Sequence, residues 1–304
     1  MSWLAERAEF VRCASEDDRF DDLLSRASAL VVRTYTEVGR ELLDRAPNLR
    51  VVGRAGVGLD SIDLDACAER GVRVVYTPDA NSIAVVELVV AFMFDALRPR
   101  LFLDGALPKD EWKSLRAEQL AERQLSQVTL GILGFGRIGS RLAQSVRGLV
   151  GRVIYHDVRE IAPDGRAAAE PVSAEQLYEQ SDVLSIHVDS RRANRHAVGE
   201  AQLALMRENS VLINASRGFV LDHTALALRL SATPTMRAML DVHEPEPIAA
   251  DNPLLMLGNA YLSPHIAAAT TLAHANMSRV VEDVWSVLEG GTPRYEAIPG
   301  DIIR

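Results

Sequence analysis

The sequence predicts an α/β protein in which helices cover both faces of parallel β-sheets. Three observations support this fold class. Short runs rich in Val, Ile and Leu alternate with longer segments of helical periodicity. A glycine-rich turn at residues 134–139 joins one apolar run to a helix. The alternation weakens between residues 97 and 127 and then resumes, which indicates two domains in a chain of 304 residues.

The first alternating series precedes this interruption. Its longest helix follows the turn signal Pro78-Asp79-Ala80-Asn81 and contains the most apolar stretch of the chain, Leu88 to Phe94. That stretch is far shorter than the roughly 20 apolar residues of a membrane span, so we predict a buried helix. The series comprises strands at residues 29–33, 49–54 and 72–76, and helices at residues 3–7, 38–46, 64–70 and 83–97.

The second alternating series follows the interruption. It closes with a long helical segment that stops at Gly290-Gly291 and Pro293, because both residue types end helices. The series comprises strands at residues 128–133, 152–156, 183–187, 210–214, 238–242 and 261–263, and helices at residues 138–146, 174–180, 202–207, 224–230 and 267–288.

The composition excludes several classes of protein. Hydrophobic residues make up 48% and charged residues 25% of the chain, as in a globular protein. A net charge of −9 argues against a nucleic-acid partner, which requires a basic surface. Two cysteines, Cys13 and Cys67, do not make a disulfide framework, and the N-terminus lacks the layout of a secretory signal. We expect a cytoplasmic protein without a membrane partner.

Gly134-Phe135-Gly136-Arg137-Ile138-Gly139 is a GxGxxG motif between a predicted strand and a predicted helix. The motif alone is weak, but this context is the one in which it binds dinucleotides. The first glycine permits a tight turn, the second lets the backbone approach a pyrophosphate, and the third lets the helix pack on the strand. The first N–H groups of the helix, around Arg137 and Ile138, are then available to the phosphates.

Asp157 follows the strand at residues 152–156, where a dinucleotide-binding fold places a carboxylate against the adenosine ribose hydroxyls. Because an aspartate repels a 2′-phosphate, Asp157 favours NAD over NADP. Arg159 weakens this preference, since a nearby guanidinium can accommodate the phosphate. The alternative interpretation is a glycine-rich turn followed by a surface aspartate.

Arg217, Glu246 and His265 each lie shortly after one of three consecutive strands. The carboxyl ends of parallel strands form one edge of a sheet, so we expect these side chains to face one crevice. An arginine offers paired donors that match the carboxylate and carbonyl of a 2-oxo acid. A histidine is a candidate general acid and base, and a neighbouring carboxylate fixes its ring. The set predicts hydride transfer between nicotinamide and such an acid.

Each of these residues also has a structural interpretation. An Arg-Gly pair is usually a surface turn, Glu-Pro-Glu-Pro suits a solvated loop, and a lone histidine is more often structural than catalytic. Only their joint occurrence behind the glycine loop favours catalysis. Judged by themselves, the remaining histidines receive the structural interpretation as a group: His156, His187, His196, His223, His243 and His274.

The ordered motifs GFGRIG, INASRG, LDVHEPEP and SPHIAAAT resemble those of the D-isomer-specific 2-hydroxyacid dehydrogenases. The segments GRAGVGLDSIDL and TPDANSIAVVEL are most similar to the phosphoglycerate dehydrogenase branch. The resemblance covers nearly the whole chain. It implies two Rossmann-like domains with parallel sheets, a nucleotide-binding domain being inserted into a smaller substrate domain. We place the NAD-binding domain at residues 98–289 and the substrate domain at residues 1–97 and 290–304.

The resemblance also implies roles for individual residues. Arg217 binds substrate, His265 is the acid/base paired with Glu246, and Asp241 holds the nicotinamide carboxamide. Family members are commonly dimers, so we expect a homodimer with NAD as cofactor and no metal. Further cofactor contacts are expected from His187 and Ala215, and substrate contacts from Arg54, Ala55, Gly56, Val57, Gly58 and Asn81.

Three departures from the family pattern stand out. The chain starts where the family normally has one more strand, so the small domain is expected to lack it or to replace it. The stretch from His187 to Arg191 carries charges beside the cofactor, which puts NAD selectivity in question. Ala84 occupies a position where Ser or Thr is common.

The residues leave the substrate and the function open. Arg54 suits a substrate phosphate, as in 3-phosphoglycerate, or else it caps a loop or pairs with a surface acid. Glyoxylate, hydroxypyruvate and further small 2-oxo acids also fit, as does formate or phosphite oxidation. The leading hypothesis is an NAD-dependent oxidoreductase acting on a D-2-hydroxy acid or its 2-oxo acid. The alternatives are an NAD-sensing protein like the corepressors built on this fold, and a catalytically impaired relic.

Overall fold

A computed structural model describes Trp3 and residues 6–300. Residues 4 and 5 of the helix expected at residues 3–7 lie outside the described residues. The strands in chain order are β1 (Ala29–Val32), β2 (Val51–Arg54), β3 (Arg73–Tyr76), β4 (Thr129–Leu133), β5 (Arg152–His156), β6 (Glu170–Pro171), β7 (Val183–Ile186), β8 (Val211–Asn214), β9 (Arg237–Leu240), β10 (Ala260–Leu262) and β11 (Glu296–Ala297). The α-helices are α1 (Phe20–Arg26), α2 (Arg40–Asp44), α3 (Leu64–Glu69), α4 (Ser82–Leu97), α5 (Lys109–Glu118), α6 (Arg137–Ser145), α7 (Ala174–Gln180), α8 (Glu200–Leu205), α9 (His223–Ala232), α10 (Thr271–Ser278) and α11 (Val280–Leu288).

The chain folds into two compact units. A terminal unit combines Met1–Asn81 with Ala269–Arg304, and a central unit consists of Ser82–Ala268. This division differs from the boundaries expected at residues 97 and 289, because α4 belongs to the central unit and α10 and α11 belong to the terminal unit. The packing explains the difference. The buried face of α4 joins the core of the large sheet, whereas α11 packs on the small one.

The terminal unit contains a four-stranded sheet in the order β1-β2-β3-β11. The first three strands are parallel, as predicted, but β11 is antiparallel to β3. A strand of two residues shows no alternation in the sequence, so β11 escaped prediction. It is held by a two-pronged ion pair, in which Arg73 Nε and Nη2 donate to the Glu296 carboxylate at 2.7 and 2.6 Å.

The central unit contains a seven-stranded parallel sheet in the order β10-β9-β8-β7-β4-β5-β6. This is the strand order of a doubly wound nucleotide-binding fold, and the order reverses between β4 and β7. Successive strand residues face opposite sides: Ile132 joins one buried cluster with α4 and α6, and Leu133 joins the other with α7, α8 and α9. The predicted parallel α/β architecture is therefore confirmed.

One helical prediction needs correction, and one helix was not predicted. The single helix expected over residues 267–288 is two helices, α10 and α11, separated at Arg279. The apolar periodicity continues across the break, so the sequence alone does not reveal it. Helix α5 lies in the stretch between residues 97 and 127 where the alternating pattern weakens, and none of its side chains is buried. No helix in the described part of the chain has the length and hydrophobicity needed to cross a bilayer.

Candidate active site

The glycine loop follows β4 at the point where the strand order of the large sheet reverses. Gly134 has φ +89°, and a Cβ atom there would lie 2.7 Å from the carbonyl oxygen of His187. A Cβ atom on Gly139 would lie 2.3 Å from the carbonyl oxygen of Gly134. Both contacts are closer than any side chain tolerates. These two glycines are therefore required by the packing of the protein itself.

Gly136 differs from its two neighbours in the motif. It precedes the first turn of α6, and a Cβ atom there would meet no protein atom within 4 Å. The open space lies in front of the helix N-terminus, where Arg137 is exposed and Ile138 is half-buried. Backbone N–H groups and the helix dipole favour an anion at such a place. The loop therefore fits the pyrophosphate of a dinucleotide.

Asp157 lies just after β5 and is bonded on both carboxylate oxygens. Oδ2 accepts a hydrogen bond from Phe135 N at 2.7 Å, and Oδ1 accepts from Arg159 N at 2.8 Å and Arg159 Nε at 3.1 Å. Burial raises the pKa of Asp157, but these hydrogen bonds together outweigh it, so the net pKa lies below its usual value. Asp157 thus stays ionised and fastens the glycine loop to β5.

His187 lies immediately after β7, beneath the glycine loop. Its Nε2 atom is 2.8 Å from Ser185 Oγ. Burial lowers the pKa of His187 to about 4, so the ring is neutral at physiological pH. Its imidazole therefore brings no positive charge to the nucleotide region, whatever contact it makes with the cofactor.

Arg217 lies in the loop that follows β8. Its Nη1 atom donates to the Ser216 carbonyl oxygen at 2.7 Å, and the fully buried Asn214 donates through Nδ2 to the Arg217 carbonyl oxygen at 2.9 Å. Asn214 Oδ1 also accepts from Ser216 N, and Ala215 between them is buried. Sequence reasoning missed Asn214, although a polar residue at the end of an apolar strand was the available signal.

Glu246 and His265 form a hydrogen-bonded pair in the loops after β9 and β10. Glu246 Oε2 lies 2.7 Å from His265 Nδ1, and both side chains are partly exposed. Burial raises the pKa of Glu246, but the hydrogen bonds from His265 and from the backbone of His243 outweigh it and lower the pKa overall. The carboxylate is ionised and orients the ring, which leaves Nε2 available to another molecule.

Asp241 lies fully buried at the base of the His265 loop. Its Oδ1 atom accepts from Ser263 Oγ at 2.5 Å and from Ile266 N at 2.8 Å, and its Oδ2 atom accepts from Ala267 N at 2.8 Å. Asp241 therefore holds the loop on both sides of His265, through the side chain of Ser263 before it and the backbone of Ile266 and Ala267 after it. No sequence pattern indicated this structural part, and the contact of Asp241 with the nicotinamide carboxamide remains a prediction.

Arg54 organises the loop of the terminal unit that was predicted to bind substrate. The side chain is buried, and it donates from Nε to the Gly58 carbonyl oxygen at 2.7 Å and from Nη1 to the Ala55 carbonyl oxygen at 2.9 Å. Gly56 has φ +154°, and a Cβ atom there would lie 2.5 Å from Arg54 Nη1. Val57, in the middle of the loop, is half-buried. These contacts make Arg54 the internal support of the loop.

Asn81 lies at the end of the first segment of the terminal unit. Its amide oxygen is buried, and no hydrogen-bond donor reaches it from the described residues. A buried polar atom of this kind usually has a partner. The observation is compatible with the predicted contact between Asn81 and a ligand.

Comparison with known proteins identifies the family. The model of the D-isomer specific 2-hydroxyacid dehydrogenase, NAD binding domain, matches residues 90–267, which is more than half of the chain. The chain belongs to the D-isomer specific 2-hydroxyacid dehydrogenase family. Its cofactor is NAD, which is also bound in solved structures of similar proteins.

Several named proteins resemble the chain over most of its length. D-3-phosphoglycerate dehydrogenase of Methanocaldococcus jannaschii is 36% identical over 87% of this chain and 50% of that protein. Glyoxylate reductase of Aeropyrum pernix is 35% identical over 90% of this chain and 84% of that protein. D-lactate dehydrogenase of Aquifex aeolicus, solved with NAD and lactic acid, has a TM-score of 0.77 at 29% identity, with coverage of 89% of this chain and 85% of that chain. The chain spans about half the length of the D-3-phosphoglycerate dehydrogenases that it matches.

Proposed function

We propose that this chain is an NAD-dependent oxidoreductase that interconverts a D-2-hydroxy acid and the corresponding 2-oxo acid. The observation that carries the proposal is the Glu246–His265 pair, with 2.7 Å between carboxylate and imidazole. The pair lies at the same edge of the sheet as the loop of Arg217, beside the nucleotide-binding strands. A proton donor and a carboxylate-binding arginine at this edge are what the reaction requires.

Each residue of the site has one task in this proposal. Arg217 binds the substrate carboxylate and orients the 2-oxo group. In reduction, the Nε2 proton of His265 passes to the carbonyl oxygen, which becomes the hydroxyl; in oxidation the proton returns. Glu246 keeps Nδ1 of His265 engaged and so directs Nε2 to the substrate. NAD, when bound, supplies or accepts the hydride at the substrate carbon.

The two units divide these tasks. We assign the central unit to the cofactor and the acid/base pair, because it carries the glycine loop, Asp157 and the pair. We assign the terminal unit to substrate recognition, because it carries the Arg54–Gly58 loop and Asn81. Chemistry and substrate choice would then depend on separate parts of the chain.

The substrate class is a small 2-oxo acid, and two kinds are candidates. The resemblance to D-3-phosphoglycerate dehydrogenases favours a phosphorylated acid recognised by Arg54. The contacts of Arg54 with Gly58 and Ala55 favour an unphosphorylated acid, because a guanidinium that supports its own loop is poorly placed to bind a phosphate. Relatives named glyoxylate reductase and hydroxypyruvate reductase match the chain over a similar share of its length.

A panel of substrates tests the function. Glyoxylate, hydroxypyruvate, pyruvate and 3-phosphohydroxypyruvate are each incubated with NADH and with NADPH, and the absorbance of the reduced cofactor is followed. We expect turnover with NADH and at least one unphosphorylated acid. Tight NADH binding without turnover of any acid would refute the proposed enzymatic activity and support an NAD-sensing protein.

We further propose that the chain forms a homodimer through the segment 98–123 of the central unit. None of the side chains of α5 is buried, and Phe102 and Leu120 are 81% and 85% exposed. Leu120 and Trp112 line a groove of about 730 Å³, and Phe102 lies in the chain between two further lining residues, Leu101 and Leu103. A second copy of the chain is the occupant that would cover these apolar side chains.

Sedimentation of the wild type should give the mass of a dimer. The double substitution Phe102→Ser and Leu120→Ser should give a monomer. A monomeric wild type would refute the proposed dimer.

We also propose that the protein works in the cytoplasm. Cys67 is buried and free, and Cys13 is also unpaired. Free thiols are typical of a reducing compartment. Cell fractionation tests the proposal, and recovery with secreted proteins would contradict it.

A further inference from the structure

His243 lies where the loops of Arg217, Glu246 and His265 meet. It lies two residues beyond Asp241 in the loop after β9, and the residue is only 8% exposed. The sequence alone assigns it no task. Three contacts, one to each loop, give it one.

The first contact is with Glu246. The backbone N–H of His243 donates to Glu246 Oε1 at 3.0 Å, while Oε2 of the same carboxylate contacts His265 Nδ1 at 2.7 Å. Both oxygens are therefore engaged, and the plane of the carboxylate is set by His243 on one side and His265 on the other.

The second contact is with the loop that carries His265. His243 Nε2 lies 2.8 Å from the Ser263 carbonyl oxygen, and because a carbonyl only accepts, Nε2 is the donor. His265 has φ +53°, a left-handed conformation that non-glycine residues adopt only when their surroundings hold them there. Asp241 accepts hydrogen bonds from the backbone of Ile266 and Ala267, which follow His265. His243 donates to the carbonyl oxygen of Ser263, which precedes His265. Together they fix His265 from both sides.

The third contact is with the loop that carries Arg217. A Cβ atom on Gly218 would lie 1.9 Å from the carbonyl oxygen of His243, so the two backbones are packed directly against each other. A displacement of His243 therefore moves the loop of Arg217 as well as the pair.

We propose that His243 is a positioning residue that holds Arg217, Glu246 and His265 in register through these three contacts. The inference rests on the proposed function and deepens it. His243 acts through other residues, so its loss should reduce the rate of the chemical step and leave binding of the cofactor intact.

Two substitutions of similar volume distinguish the effect of the hydrogen bond from the effect of side-chain packing. His243→Leu removes the donor to Ser263, and His243→Gln keeps an N–H at about the position of Nε2. With the best acid of the substrate panel, we expect kcat to fall at least about tenfold in His243→Leu, since misplacement of a reacting group by about an ångström is that costly. The Kd for NADH should stay within about twofold of wild type. His243→Gln should recover most of the lost kcat.

Arg229→Met is the matched control. It also removes a side-chain hydrogen bond to a carbonyl oxygen of the central unit, from Arg229 Nη2 to Met206 at 2.8 Å, but it lies in α9 away from the three loops. It should keep the kcat of wild type at a comparable loss of thermal stability. An unchanged kcat in His243→Leu would overturn the inference, and so would an equal loss in His243→Gln and His243→Leu. Full activity of a His265 variant would instead refute the proposed function, so the two failures are distinguishable.

Discussion

The nucleotide end and the catalytic end of the central unit are built in different ways. The nucleotide end comprises the glycine loop and Asp157, and its parts lie close together in the chain. We propose that it contacts the nucleotide mainly with backbone, so that the absence of a side chain matters, as at Gly136. The catalytic end draws on three loops, after β8, β9 and β10, and we propose that it contacts its ligand with side chains.

This difference shows where each end is vulnerable. The nucleotide end tolerates no side chain at Gly134 or Gly139, because neither position has room for a Cβ atom. The catalytic end depends on buried polar residues, because the side chains of Asn214 and Asp241 hold the loops through hydrogen bonds to the loop backbone. Suitable substitutions should therefore break one end and spare the other.

The largest effect is expected from His265→Gln. The substitution removes the proton donor, so kcat should fall by about 10²- to 10⁴-fold. NADH binding should change little, because the glycine loop and Asp157 are untouched. Steady-state kinetics and NADH fluorescence titration measure the two quantities. If NADH affinity falls as much as kcat, the two ends are not separable in this way.

Lowering the pH should reduce the stability of the folded protein through His187, which lies at the nucleotide end. Its pKa is lowered from 6.5 to about 4 by burial, so between these values the unfolded chain binds a proton that the folded protein excludes. This contribution to stability is complete above pH 6.5 and is lost as the pH falls to 4, by on the order of 3 kcal/mol. Denaturant unfolding at several pH values measures it. His187→Gln should flatten the profile in that range, and an unchanged slope would contradict the assignment.

Gly136→Ala tests whether the open space beside this glycine is where the nucleotide binds. The new methyl group meets no protein atom, so stability should match that of Gly258→Ala, another glycine with open surroundings. NADH affinity should fall roughly tenfold, or about 1.4 kcal/mol, because the methyl occupies the approach to the pyrophosphate. Gly139→Ala should instead lower the melting temperature. Unaltered NADH binding in Gly136→Ala would place the pyrophosphate elsewhere.

The smallest effect is expected from Arg159→Ala. Arg159 donates to Asp157 from an exposed position, where an ion pair contributes about 1 kcal/mol at most. Without the guanidinium, the Asp157 carboxylate is freer to bind ribose hydroxyls, and a 2′-phosphate loses its cation. The ratio of kcat/KM for NADH over NADPH should therefore rise by up to about fivefold. A lower ratio would show that Arg159 supports NAD.

The nucleotide end could be predicted from the sequence nearly completely, and the catalytic end only in part. The glycine spacing and the following aspartate are local patterns, and the fold carries them at the expected strand ends. Arg217, Glu246 and His265 could also be singled out, since each lies after a recognisable strand. The break at Arg279 and the antiparallel β11 could not, because both depend on packing partners that are distant in the chain.

By itself, the sequence determined the α/β class, the sites of the strands and the residues proposed to bear the chemistry. Alternating apolar residues and glycines impose these features on short segments of backbone, so they can be read from neighbouring positions. Only the tertiary structure decided which residues hold the proposed catalytic side chains in place. Asp241 and His243 acquire their tasks from Ser263, Glu246 and Gly218, which approach them only when three parallel strands lie side by side. Arg54 likewise becomes a support of its own loop only once that loop is closed.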